Sequence, residues 1–204
     1  EGAVNIAELM RISGDRGKLR AHYEHFDRGF SSVGRLTTSD TERWGVGGEL
    51  PIGTTTQIAF VYDELASADT GRSRTGTFDL TQQLNRGLTG KLGLRLEDRV
   101  ANQLYNSVQV GRRIDAAAEL AWQAPNDNWG MHMFGQATLD RDSTRLANNR
   151  FGIGAKATLT ERLSAEGEAS IGDGGLGLDV KLNHTMGAGS EAYVGYRLDA
   201  DRTD

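Results

Sequence analysis

The chain has 204 residues, of which 37% are hydrophobic, 27 are glycine, 2 are proline and none is cysteine. The lack of cysteine excludes disulfides, thiolate metal sites and cysteine nucleophiles, and a formal net charge of -5 with no basic block argues against a nucleic-acid partner. No stretch approaches the ~20 apolar residues of a membrane helix, so this chain could cross a membrane only as a closed β-barrel.

A two-residue period dominates the sequence and predicts about twelve strands in a single domain over 1–204. Weak alternation over 3–11 and 18–26 leads into 42–50, where Trp44, Val46, Gly48 and Leu50 oppose Arg43, Gly45, Gly47 and Glu49. In 57–63, Ile58, Phe60 and Tyr62 oppose Gln57, Ala59, Val61 and Asp63. After a weak segment at 75–82, residues 88–97 set Leu88, Gly90, Leu92, Leu94 and Leu96 against Thr89, Lys91, Gly93, Arg95 and Glu97. Segment 107–122 has an unusually long face, Val108 to Trp122, which reads as a strand projecting beyond a membrane near Arg112. A weak strand at 129–139 precedes 151–159, with Phe151, Ile153, Ala155, Ala157 and Leu159 on one face. Segments 163–171, 176–182 and 192–198 close the series, the last with Ala192, Val194, Tyr196 and Leu198 on one face.

The connections alternate in character. Short turns are expected at 13–17, 51–54, 85–87, 125–128 and 160–162, with a somewhat longer one at 183–190. Long polar loops are expected at 27–42, 64–74, 98–106 and 140–150. One tight connection, Gly172-Asp173-Gly174-Gly175, falls on the long-loop side, and its Asp-Gly pair is a hairpin signal. The glycine run through Gly177 is no nucleotide-binding turn, because a strand rather than a helix follows it.

Alternating faces, short turns against long loops, and aromatics near the ends of the apolar faces (Trp44, Tyr62, Trp122, Trp129, Phe151 and Tyr196) resemble bacterial outer-membrane β-barrels. The resemblance is to an architecture and singles out no transporter family. It implies an all-β, antiparallel up-and-down transmembrane β-barrel in the outer membrane of a Gram-negative bacterium, with outer-membrane lipid and lipopolysaccharide as its surroundings. Two features depart from it. The chain ends in Asp201-Arg202-Thr203-Asp204 rather than on an aromatic residue, and both chain ends fall on the long-loop side. The N-terminal Glu1-Gly2-Ala3-Val4 has no signal-peptide pattern. Missing strands are therefore expected at both ends, supplied by other parts of a larger chain or complex.

The charged face supplies the candidate lumen lining: Arg20, Arg43, Glu49, Asp63, Asp79, Lys91, Arg95, Glu97, Glu119, Lys156, Glu166, Glu168, Asp179, Lys181 and Arg197, joined by Lys18, His22 and Glu24. Such charges set a preference among solutes, or they pair across strands and satisfy the interior. Mixed signs predict weak charge selectivity, and Lys156 or Lys181 stands ready to neutralise Glu166 and Glu168. Inward glycines leave room for water or permit backbone bends. His22 and His25 face opposite sides of a strand, and His132 and His184 look isolated, so no metal site is expected. No serine partners a histidine on one face with an acid nearby, so neither catalysis nor a cofactor is expected. The acids Asp140, Asp142, Asp199 and Asp201 read as solvated loop charge before cation ligands.

Three functions follow: a passive pore or export conduit, a non-conducting barrel that anchors a large surface protein or adhesin, and a soluble antiparallel β-protein.

Overall fold

The computed structural model describes residues 4–14, 17–29, 31–32, 35–36, 39–68, 71–100, 110–187 and 190–198. These form strands β1 (Val4–Gly14), β2 (Gly17–Phe26), β3 (Ser31–Ser32), β4 (Arg35–Leu36), β5 (Thr41–Ile52), β6 (Thr56–Ser67), β7 (Gly71–Gln83) and β8 (Leu88–Val100). They continue with β9 (Gly111–Gln123), β10 (Trp129–Arg141), β11 (Arg150–Thr160), β12 (Leu163–Gly172), β13 (Gly175–Gly187) and β14 (Ser190–Leu198), and no helix occurs among the described residues. Twelve strands make one sheet in the order β1-β2-β5-β6-β7-β8-β9-β10-β11-β12-β13-β14, and β3 pairs only with β4. The all-β, up-and-down antiparallel expectation therefore holds. Among the described residues β1 and β14 are the two edges of the sheet and do not pair with each other, so the sheet is not closed into a barrel. Sequence periodicity specifies faces and neighbours, whereas closure depends on how the two edges meet, which no local pattern encodes.

Three boundaries differ from the sequence reading. Much of the loop expected at 64–74 is strand, because β6 runs to Ser67 and β7 starts at Gly71, taking in Glu64, Arg72 and Arg74. The turn expected at 183–190 is likewise largely strand, with β13 reaching Gly187 and β14 starting at Ser190. Of the long strand expected at 107–122, Val110 lies outside β9, which begins at Gly111, where φ is +103° and an added Cβ would lie 2.7 Å from Asp142 Oδ2. Residues 107–109 lie outside the described residues, as do Asp199 and Asp201.

The chain divides into two compact units. One comprises Glu1–Leu80, Gly93–Ala116 and Thr138–Leu146; the other comprises Thr81–Leu92, Ala117–Ala137 and Ala147–Asp204. In the second unit the register is continuous from β10 to β14. It aligns Trp129, Ala157, Ala165, Leu182 and Val194 in one row, and Met131, Ala155, Gly167, Val180 and Tyr196 in the next. Met133, Ile153, Ala169, Leu178 and Leu198 form a third row, and Gly135, Phe151, Ile171 and Leu176 a fourth. Because side chains alternate along a strand, these rows make one unbroken apolar field. The Asp173-Gly174 connection is the expected hairpin, with Gly172 opposite Gly175.

No large side chain is fully buried among the described residues. Among the described residues the buried hydrophobic ones are Phe26 and Ala124, while Glu64, Glu97, Asp115 and Arg145 are buried. Large apolar side chains lie open, with Met131 52%, Ile153 56% and Val194 75% exposed.

Candidate functional site: the charged face

In the first unit the registers of β2, β5 and β6 stack Lys18 on Glu49, Arg20 on Gly47 and Val61, and His22 on Gly45 and Asp63. Glu24 lies opposite Arg43. Lys18 Nζ lies 3.8 Å from Glu49 and Arg43 lies 3.4 Å from Asp63, both pairs well exposed. His22 Nε2 comes within 3.2 Å of Asp63 Oδ1 by reaching across Gly45, without hydrogen-bond alignment. Asp79 sits over Gly93, with 3.0 Å between its Oδ1 and a Cβ placed there.

The second unit repeats this arrangement. His132, Gly154 and Glu168 share a row, and His132 Nε2 lies 3.1 Å from Glu168 Oε2. A Cβ at Gly154 would fall 2.3 Å from His132 Cε1 and 3.0 Å from the Gly167 carbonyl, so glycine is what lets the ring cross the intervening strand. His132 is thus partnered rather than isolated. Asp179 stands directly opposite Glu168, an unfavourable like-charge pair relieved by Arg197 at 2.6 Å. Lys181 meets Glu166 at 3.4 Å, as one of the two expected lysines. Lys156 lies opposite Glu166 in register. Lys91 binds Glu119 at 2.7 Å.

These contacts predict a contrast between two glycines. Gly154→Val forces His132 off Glu168 and is expected to destabilise by about 1–3 kcal/mol. Gly135→Ala, with nothing within 4 Å of the new methyl, is expected to be neutral or to stabilise by up to ~1 kcal/mol. Urea midpoints in detergent micelles check both, and equal midpoints for the two variants would discard the recess argument.

The densest charge cluster surrounds Glu97, in the first unit. Its Oε1 lies 2.5 Å from Arg95 and 3.9 Å from Arg99; its Oε2 contacts Arg145 closely and Arg113 at 3.7 Å. Arg113 Nε also donates to Asp115 at 2.9 Å, and Asp115 accepts from the Thr138 hydroxyl at 2.7 Å. Arg145 comes from the connection between β10 and β11. That segment is pinned where Asp142 accepts from the Arg112 amide at 2.7 Å and Thr144 donates to the Val110 carbonyl at 2.9 Å. Asp142, together with Asp140 paired to Arg112, therefore serves in loop anchoring. No group of three or more metal-ligating side chains occurs among the described residues.

Most of the aromatic candidates fall near strand ends. Trp44, in the first third of β5, and Tyr62, midway along β6, pack with ring centroids 5.0 Å apart. Trp122 and Trp129 pack edge-on at 4.6 Å across the short turn between β9 and β10. Phe151 opens β11, and Tyr196 lies three residues into the apolar run of β14. Beyond Tyr62, on the same face of β6 by alternation, comes an ionic group absent from the sequence reading. Glu64 binds Arg72 at 3.0 Å and Arg74 at 3.2 Å, accepts from the Tyr62 hydroxyl at 3.0 Å, and Arg74 reaches Asp98 at 3.7 Å. In the second unit the apolar face bears a depression of about 650 Å³, floored by Ala155, Gly167 and Ala169 and bordered by Met131, Met133, Leu178 and Val180.

Comparison with protein-family models, with curated proteins and with solved structures finds no match to this chain.

Proposed function

We propose that the chain is the wall, or part of the wall, of an outer-membrane β-barrel that acts as a passive pore or export conduit. One observation carries this reading: the apolar side chains lie open in a broad continuous field, and the few buried side chains include the charged Glu64, Glu97, Asp115 and Arg145. In water such a field would be covered by a second layer of structure, and lipid is the medium that leaves it bare. The dimensions agree. On β10 the apolar face runs from Trp129 to Leu139, roughly 33 Å at ~3.3 Å per residue. At a tilt of about 40° this matches the ~25 Å apolar band of outer-membrane barrels. In β6 the order Ile58, Phe60, Tyr62, Glu64 passes from apolar through aromatic to ionic, as a membrane boundary would. The opposite face, with its charges of both signs, would line the water-filled side.

Lipid tolerates no free sheet edge, so β1 and β14 must be hydrogen-bonded in the membrane, to each other or to further strands. Twelve alternating strands leave these two edges antiparallel, which permits either. A sealed barrel that anchors a larger surface protein is the rival. It is favoured by the way His22, His132 and Arg145 fill the charged face with contacts to Asp63, Glu168 and Glu97.

The test is electrophoretic mobility before and after boiling, followed by single-channel recording in planar bilayers. A heat-dependent shift together with discrete conductance steps is expected. A shift without conductance favours the anchor, and a detergent-free aqueous monomer with no shift overturns the membrane reading.

A further inference from the structure

We propose that Arg95, Arg99, Arg113 and Arg145 form a binding site for a dissolved oxyanion, with Glu97 as the group that organises them. The proposal rests on the charged face being the wet one. Four guanidinium groups converge there on one carboxylate, and among the described residues the only other acid in the cluster is Asp115. The local charge is therefore positive by two, in a chain whose net charge is -5. The nearby Asp98 falls on the opposite face of β8 and contacts Arg74.

Hydrogen-bond supply points the same way. A carboxylate offers about four acceptor sites, whereas each guanidinium carries five donors in a planar fork. Arg95 and Arg145 take the close positions on Glu97, and Arg113 turns its Nε to Asp115. Arg99 stands at 3.9 Å, beyond hydrogen-bond range, with 28% of its side chain exposed; Arg95 is 55% exposed. Two guanidinium groups thus reach solvent with donors in excess, drawn together by a buried acid. Planar bidentate donors at fixed spacing suit phosphate or carboxylate oxygens, and clustered arginines are the usual lining of anion-conducting pores.

The experiment is calorimetric titration of the whole chain in detergent with inorganic pyrophosphate, at low ionic strength and again in molar salt. The wild type is expected to bind saturably and to weaken in high salt. Arg95→Gln/Arg99→Gln is expected to lose about tenfold or more in affinity, with a melting point lowered far less than in Glu97→Ala, because Arg95 is exposed and Arg99 stands beyond hydrogen-bond range of the carboxylate. Arg86→Gln/Arg162→Gln removes the same charge from two exposed turns and is expected to bind like wild type. The site is overturned if the wild type shows no saturable binding, if both double variants weaken equally, or if only the phosphates of lipid A carried in the micelle are bound. Binding is read without conductance. A protein that binds pyrophosphate but forms no channels therefore sinks the pore reading alone, and one that conducts without binding sinks the site alone.

Discussion

Ile153→Arg is expected to destabilise the protein by roughly 2–4 kcal/mol in a bilayer or detergent-solubilised membrane state. In water the same substitution should stay within about 0.5 kcal/mol. Ile153 is 56% exposed and lies in the third apolar row, between Met133 on β10 and Ala169 on β12. An arginine there meets no steric obstacle, so any large loss comes from the medium. Lipid must desolvate the guanidinium or deform to let it snorkel, whereas water solvates it at once. Thr158→Arg supplies the control: it lies on the opposite face of β11, is exposed, and is registered with Ser164. Equilibrium unfolding of both variants in phospholipid vesicles measures the difference. Near-identical free energies for Ile153→Arg and Thr158→Arg would mean that the apolar field does not face lipid.

Strand number and facing were legible because alternation survives wherever one face is uniformly apolar, as in Phe151 to Leu159 and Leu176 to Leu182. Strand ends were legible only where polarity and backbone pairing stop together. At Glu64, Arg72 and Arg74 they do not: the ladder continues while the apolar face turns ionic, so three paired residues read as loop. The histidine pairs were hidden for a different reason. His132 and Glu168 are 36 residues apart, and their meeting depends on the register of β10 on β11 and of β11 on β12. A shift of one residue would send either side chain to the other face. The recess at Gly154 carried a sequence signal, since the glycine was assigned to the charged face, but nothing local said which side chain would cross it. Arg145 carried none, because a loop arginine reads as solvated charge until the connection is seen to fold inward. The aromatic pairs lie between these extremes. Alternation put Trp44 and Tyr62 on one face, and strand adjacency did the rest.

Glu97→Ala is expected to remove about 3–5 kcal/mol of stability, the largest loss of any polar substitution on the charged face. The side chain is 5% exposed, and its loss takes this carboxylate away from Arg145 at 4% and Arg113 at 17%. Arg113 retains Asp115; Arg145 loses the carboxylate that draws it inward. Its backbone stays tied through its amide to the Asp142 carbonyl and through its carbonyl to Arg141, so the connection stays attached at its base while the guanidinium turns outward. That movement has a chemical readout. Trypsin cleaves after arginine, and Arg145 should be protected in the wild type and cut in Glu97→Ala, giving fragments that end and begin at Arg145 and Leu146. Glu97→Gln keeps an acceptor without the charge, so it should fall between the two in both unfolding midpoint and cleavage rate. Arg95→Gln, at a side chain more than half exposed, should change stability by no more than about 1 kcal/mol. If Glu97→Ala unfolds at the wild-type midpoint and stays uncut at Arg145, the cluster is an exposed ion-pair network that holds no loop. The four arginines would then lack the fixed geometry that an oxyanion site requires.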